Sequence, residues 1–260
     1  MADQITASIY DYPRYYDLLF GSDWKAEYDF MLACFQKHAD RKVKRIFEPA
    51  CGTGRLLVKL ADAGFDVAGN DLNPKAIRYC NERLARHGHP KSTTVEDMAD
   101  FKVKKKFDAA FNMINTFRHL PTEKLAQAHL ECMAKALNKG GLYLLGLHLE
   151  PTACDAMEDE AWTARRGNLV VNSYMWSKGV DRKTRLEHLG MQIDVYTPSK
   201  HIRIMDHMEY RTYRRSQFTA LLNKVPELFV EETYDFAYDI NKPHRLNGFS
   251  EDVVYVLKRV

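Results

Sequence analysis

The spacing of apolar positions changes character twice along the chain. Over residues 11–37, Tyr12, Tyr15, Tyr16, Leu18, Leu19 and Phe20, then Trp24, Tyr28, Phe30, Met31, Leu32 and Phe35, recur at helical intervals. This predicts two helices broken at Gly21-Ser22-Asp23, with Ser22 or Asp23 capping the second. From residue 44 short apolar runs alternate with amphipathic stretches. Residues 44–48, 65–69, 93–95, 107–113 and 142–147 read as strands. Leu56, Leu57, Leu60 and Ala61 mark one intervening helix; Ile77, Cys80 and Leu84 mark another, for which Asn73-Pro74 supplies an N-cap and a proline at the first helical position. Residues 122–137 read as a third helix, stopped by Asn138-Lys139-Gly140-Gly141. Such alternation predicts βαβ units and a mostly parallel sheet.

After Glu150 the period becomes two. Leu169-Val170-Val171-Asn172-Ser173-Tyr174 and Met191-Gln192-Ile193-Asp194-Val195-Tyr196 read as antiparallel strands. Helical spacing returns over residues 216–222, and residues 229–236 and 253–257 read as two closing strands. The predicted fold is α/β: a doubly wound, Rossmann-like seven-stranded sheet with an antiparallel β insertion after strand five. Residues 1–40 form an N-terminal helical cap, 41–150 and 215–260 the core, and 151–214 the insertion.

Composition narrows the function classes. The chain has 260 residues, 45% hydrophobic and 28% charged, enough for one large buried core. Its 38 basic and 35 acidic side chains leave a net charge of only +3, which argues against nucleic acid as a partner. The run Lys102-Val103-Lys104-Lys105-Lys106 reads as a solvated loop. The five cysteines are scattered, without Cys-x-x-Cys, which excludes a disulfide framework or zinc site and points to a reducing compartment. Residues 1–10 lack the pattern of a signal peptide, and no apolar stretch approaches the ~20 residues that span a bilayer. The expectation is a cytoplasmic protein with no membrane partner. His87-Gly88-His89 lacks partners at ligand spacing, so no metal is expected.

The main chemical signal is Glu48-Pro49-Ala50-Cys51-Gly52-Thr53-Gly54-Arg55, between a strand and a helix. Its glycines permit a sharp turn and close approach of a ligand, and the helix after it presents free N–H groups. Asp71, at the end of the next strand, stands where an acid accepts hydrogen bonds from ribose hydroxyls. A dinucleotide-binding turn would carry a third glycine, where this chain has Leu57.

With these motifs the sequence resembles the class I S-adenosylmethionine-dependent methyltransferases, in the small-molecule branch of amino-sugar and glycine N-methyltransferase-like enzymes. Glu48 to Arg55 resembles the family's first motif, with Ala50 in place of its first glycine. Val67 to Pro74 is similar to the second strand and its acid, Glu96-Asp97-Met98 to the third motif, and residues 107–120 and 138–147 to the fourth and fifth strands. The resemblance implies S-adenosylmethionine as cofactor. It implies that Gly52 and Gly54 pack against its methionine and ribose, that Glu48 and Ala50 lie beside the methionyl amine, and that Asp71 holds the ribose. Leu72 would pack on adenine, Asp97 accept from its amino group, and Met98 offer a backbone N–H. Asn112 would lie near the methionyl group, and Tyr16 would close over the cofactor.

Methyl transfer needs a general base only for a protonated or weakly nucleophilic acceptor. His119 and His148 follow the fourth and fifth strands, at the rim where open α/β sheets bind ligands, and are the candidate bases. Arg211 and Tyr213 are candidates for an anionic acceptor or a structural ion pair. The insertion, with Trp162, Tyr174 and Trp176 and the arginines Arg165, Arg166 and Arg211, is expected to cover the site and select a small-molecule acceptor with both apolar and cationic contacts. A methyltransferase of RNA or protein, and a non-catalytic cofactor-binding module, are the alternative readings.

Overall fold

Neighbouring side chains of a strand point to opposite faces of its sheet, and in the strand Arg45–Glu48 (β2) both faces are buried. Ile46 packs into one apolar cluster and Phe47 into another. A computed structural model describes residues 3–154 and 159–260. The parts of the predicted cap and insertion at residues 1–2 and 155–158 lie outside the described residues.

Around β2 a seven-stranded sheet runs in the order Leu228–Tyr234 (β11), Asp252–Arg259 (β12), Leu137–His148 (β6), Phe107–Asn112 (β5), β2, Asp66–Asp71 (β3) and Thr93–Val95 (β4). The five strands from β6 to β4 are parallel, and β12 is antiparallel to both neighbours. The chain leaves β2 towards β3 on one side and returns through β5 on the other, which makes the ends of β2 and β5 the switch point of the sheet. Lys25–His38 (α2), Leu57–Asp62 (α3) and Pro74–Arg86 (α4) cover one face through Phe30, Leu57, Leu60, Ile77 and Leu84. Glu123–Ala136 (α5) and Arg215–Leu222 (α6) cover the other through Leu130, Met133, Phe218 and Leu221.

A second sheet holds Asp3–Thr6 (β1), His201–Arg211 (β10), Leu186–Tyr196 (β9), Leu169–Asp181 (β8) and Asp159–Arg166 (β7), in that order. Its pairs are antiparallel except that β1 lies parallel to β10. Val171, Ile193 and Ile204 on one face pack with Ile9 and with Leu18 and Leu19 of the helix Pro13–Phe20 (α1). The segment before α2 is therefore not wholly helical: its first described residues are a strand.

Two local expectations need correction. Neither Ser22 nor Asp23 caps α2; the N-cap is Trp24, with no side-chain cap bond. Packing fixes that end instead, with the Trp24 ring 5.5 Å from Tyr28 and under the Lys59 ammonium. Asn138-Lys139-Gly140-Gly141 is not a helix stop, because α5 ends at Ala136 and β6 begins at Leu137. The glycines serve a bulge: Gly140 has φ +71° and the β5–β6 register shifts between Phe107 and Ala109. A β-carbon on Gly141 would lie 2.8 Å from the Asp108 carbonyl oxygen.

Asp108 ties this bulge to the entry of β2. Its Oδ2 accepts from the Lys44 and Arg45 backbone N–H groups, both at 3.0 Å, and its Oδ1 from Asn138 Nδ2, also at 3.0 Å, while Arg41 Nε lies 2.9 Å away. Removing a buried carboxylate that serves two backbone donors leaves them unsatisfied. Asp108→Ala should cost roughly 2–4 kcal/mol of stability, measured by denaturant unfolding. A loss below the scatter of surface substitutions would show that water replaces the clamp.

Candidate active site

The turn after β2 is strained and held from both flanks. Ala50, Gly52 and Gly54 have φ of +49°, +52° and +66°. From β3, the Asn70 carbonyl accepts from Cys51 N–H at 2.8 Å and its Oδ1 from Ala50 N–H at 3.2 Å. Asp71 bridges onward: Oδ2 accepts from Gly52 N–H and Oδ1 from Asn73 N–H, each at 2.8 Å. From β5, Asn112 Nδ2 donates to the Pro49 carbonyl at 2.8 Å. Asn73 then caps α4, accepting from Lys75 and Ala76 N–H, with Pro74 at the first helical position.

Above these strand ends, between core and second sheet, lies a cavity of about 1180 Å³. Tyr16, Glu48, Ala50, Gly52, Asp71 and Leu72 line it, as do Asp97, Met98, His119 and His148. Gly54 and Asn112 do not line it. A β-carbon on Gly54 would collide with Cys80 Sγ of α4, so this glycine serves helix packing. Asn112 is spent on the Pro49 carbonyl beneath the turn. At Gly52 a β-carbon would meet nothing within 4 Å, so a side chain there would enter open space.

Two buried polar atoms on the wall have no partner among the described residues: Glu48 Oε2 and Arg55 Nη1. Burial pushes the Glu48 carboxyl up strongly, against the pull of Arg55. Arg55 gives its other nitrogen to Glu27 Oε2, whose own carboxyl burial also raises. A lone acceptor and a lone donor on the same wall fit the ammonium and carboxylate of an α-amino acid. Burial raises the Asp71 carboxyl as well, while the N–H groups of Asn73 and Gly52 pull it down. Arg55 stood inside the sequence motif without a role; its signal was a cation in an otherwise small and apolar turn.

Further along, Asp97 Oδ1 accepts from Ala99 N–H at 2.8 Å. The next residue, Met98, is fixed by His129, which was not singled out from the sequence. His129 Nδ1 donates to the Met98 carbonyl at 2.8 Å and Nε2 accepts from Tyr143 Oη at 2.7 Å. Burial drives its pKa down to about 4, so it stays neutral. A lone polar residue among Ala126, Leu130 and Met133 on the buried face of α5 is the signal that reveals it.

The two candidate bases differ. His119 Nε2 is 2.8 Å from Tyr10 Oη, and its ring meets the Tyr210 ring edge-on at 4.8 Å. Burial, with Arg118 beside it, lowers its pKa to about 4. That lowering makes it a weaker proton acceptor near neutrality than an ordinary histidine. His148 lines the cavity with its Nε2 3.0 Å from Asp252 Oδ1. The backbone N–H of His148 donates to Asn115 Oδ1 at 2.8 Å, and Ile114 and Asn115 have φ of +50° and +63°. Such left-handed residues concentrate at functional rims.

The second sheet contributes Trp162, Met175, Trp176, Met191 and Tyr210 to the cavity. Its arginines Arg165, Arg166 and Arg211 are not on the wall. Arg211 Nη1 donates to the carbonyls of Pro121 and Thr184, and Tyr213 is buried beside it, so both are structural. Tyr174 stacks on Trp176 from outside.

Residues 46–141 match a family model described as a methyltransferase domain. The chain is 26% identical over 201 residues to a dTDP-3-amino-3,4,6-trideoxy-alpha-D-glucopyranose N,N-dimethyltransferase of Streptomyces venezuelae, covering 74% of this chain and 79% of that protein. It is 32% identical over 129 residues to a glycine/sarcosine N-methyltransferase of Halorhodospira halochloris, covering 47% of each. The solved structure of Streptomyces venezuelae DesVI shares the fold, with a TM-score of 0.77 at 20% identity over 98% of this chain and 99% of that one. The matched domain, the fold and the turn with its clamped acid agree: residues 46–141 are a methyltransferase domain, and S-adenosylmethionine is its methyl donor.

Proposed function

We propose that this protein transfers a methyl group to a small-molecule acceptor, on nitrogen, inside the cavity between its two sheets. The observation that carries this reading is the unpartnered pair Glu48 Oε2 and Arg55 Nη1 beside the bridged carboxylate of Asp71. Glu48 takes the methionyl ammonium and Arg55 the carboxylate, with Ala50 and Gly52 approaching closely. Asp71 accepts from the ribose hydroxyls, Leu72 packs on adenine, Asp97 accepts from the adenine amino group and Met98 donates its N–H. Tyr16 covers the cofactor from α1. Gly54 and Asn112 shape the turn from behind. The relatives named as amino-sugar and glycine/sarcosine N-methyltransferases support nitrogen as the methylated atom.

S-adenosylmethionine supplies an activated methyl group on a sulfonium, so alignment and exclusion of water carry much of the acceleration. The chain's own part is to close the cavity and to receive a proton where the acceptor brings one. His148 receives it, and the neighbouring Asp252 stabilises the resulting imidazolium. His119 remains an uncharged polar contact. Residues 151–214 act as a lid that selects the acceptor, residues 1–40 as a cap, and 41–150 with 215–260 as the cofactor-binding core. No helix of the described residues is long and apolar enough to cross a membrane. The free cysteines Cys34, Cys51, Cys80, Cys132 and Cys154 support a cytoplasmic setting.

Calorimetric titration tests the cofactor site: S-adenosylhomocysteine should bind and NAD should not, and the reverse result would overturn the reading. Asp71→Asn should weaken S-adenosylhomocysteine by about 1–3 kcal/mol. Gly52→Val should abolish binding in a protein that still unfolds cooperatively. His148→Gln should lower kcat roughly 10²–10⁴-fold with cofactor affinity unchanged; parental turnover would remove His148 from the reaction.

A further inference from the structure

Charge on the acceptor side of the cavity is one-sided. Beyond the wall assigned to the cofactor, the lining carboxylates include Asp159, Glu160, Glu187, Glu251 and Asp252. The lining cations among the described residues are two arginines, each beside a carboxylate, and the free nitrogen of Arg55 belongs to the wall assigned to the cofactor. Arg55 is paired with Glu27, and Arg118 Nη2 lies 2.6 Å from Glu187 Oε2 with its guanidinium over the Tyr210 ring. Among the described residues no lysine lines the cavity.

Most of the acids have partners too. Glu187 holds Arg118, Asp252 holds His148, and Asp159 accepts from Tyr174 Oη. The carboxylates of Glu251 and Glu160 have none among the described residues, and of the two Glu160 belongs to the second sheet. It is half-buried at the start of β7. Burial raises its pKa, and Asp252 and Glu251 reinforce the rise against His148 and Arg118. An unpaired carboxylate in such a place is unfavourable until a cation arrives. Aromatic side chains line the same space: Tyr10, Trp162, Trp176, Tyr210 and Phe236. Ring faces attract ammonium groups and do nothing for phosphate.

We propose that the acceptor is a non-phosphorylated small molecule bearing a protonated amine, and that Glu160 is the residue that selects it. This rests on the reading of the cavity as the site of methyl transfer to a small acceptor. A nucleoside-diphosphate sugar would bring its phosphates against unneutralised carboxylates, with no free cation to meet them. The specificity differs on this point from that of the dTDP-amino-sugar relatives, whose names place a diphosphate on the acceptor.

The test is calorimetry on the full chain saturated with S-adenosylhomocysteine. The titrants are 1,4-diaminobutane, ethanolamine and glucosamine, each beside its hydroxyl counterpart butane-1,4-diol, ethylene glycol and glucose, and thymidine diphosphate. At least one amine should bind more tightly than its counterpart, and thymidine diphosphate should not bind. Glu160→Gln should weaken that amine about 10-fold or more and leave S-adenosylhomocysteine affinity unchanged; Glu160→Asp should recover part of the loss. Binding of thymidine diphosphate, no preference for any amine, or a preference that survives in Glu160→Gln would each overturn the proposal. Failure of S-adenosylhomocysteine to bind, read before any amine is added, is instead the failure of the methyl-transfer reading.

Discussion

The Asp71 carboxylate, shared between the N–H groups of Gly52 and Asn73, is the interaction on which the site depends. It joins the end of β3 to the turn after β2 and to the start of α4, so three elements take their relative positions from one side chain. Asn70 and Asn112 hold the same turn from neighbouring strands. Together they keep Ala50 in a left-handed conformation that costs an L-residue about 1–2 kcal/mol. The turn is rigid because its backbone groups are answered by side chains from both sides, and that rigidity leaves the outward parts of Gly52 and Asp71 facing open space.

Around this frame, burial sorts the ionisable groups into those spent on structure and those left over. His129 is neutral and consumed by Met98 and Tyr143, and His119 is neutral and bound to Tyr10. Arg118 and Glu187 cancel each other. Some of what remains without an internal partner lines the cavity. Glu48 and Arg55 each leave one atom free over the turn, and Glu160, on the edge strand of the second sheet, and Glu251 leave their carboxylates free. Buried polar groups are normally satisfied, so the exceptions draw the outline of what the cavity is built to receive.

Much of this was legible from spacing alone. The switch from helical to two-residue periodicity marks where the core gives way to the second sheet, because each period reports one buried face. The glycine-rich turn and Asp71 were legible because their roles are local to a strand-turn-helix unit. Other features depend on who the neighbours are. β1 consists of four exposed residues, and β7 carries polar residues at most positions, so neither leaves a periodic trace. Gly54 belongs to Cys80 and Asn112 to Pro49, partners that only the folded sheet brings close. Alternation in the insertion says that one face is buried but not what lies opposite. The arginines expected over the acceptor therefore turn out to be elsewhere, and acids occupy their place.

The parallel pairing of β1 with β10 has a consequence in time rather than in space. Ile9 N–H reaches Asp206 Oδ2 across 197 residues, and closing a loop of that length costs about 5 kcal/mol of chain entropy. The antiparallel pairs of the same sheet are linked by short turns and close far more cheaply. Contacts of high sequence separation form late. The segment carrying Tyr10 therefore joins its sheet only after β10 exists, and during synthesis the cavity cannot acquire this part of its roof until the chain has grown past Arg211.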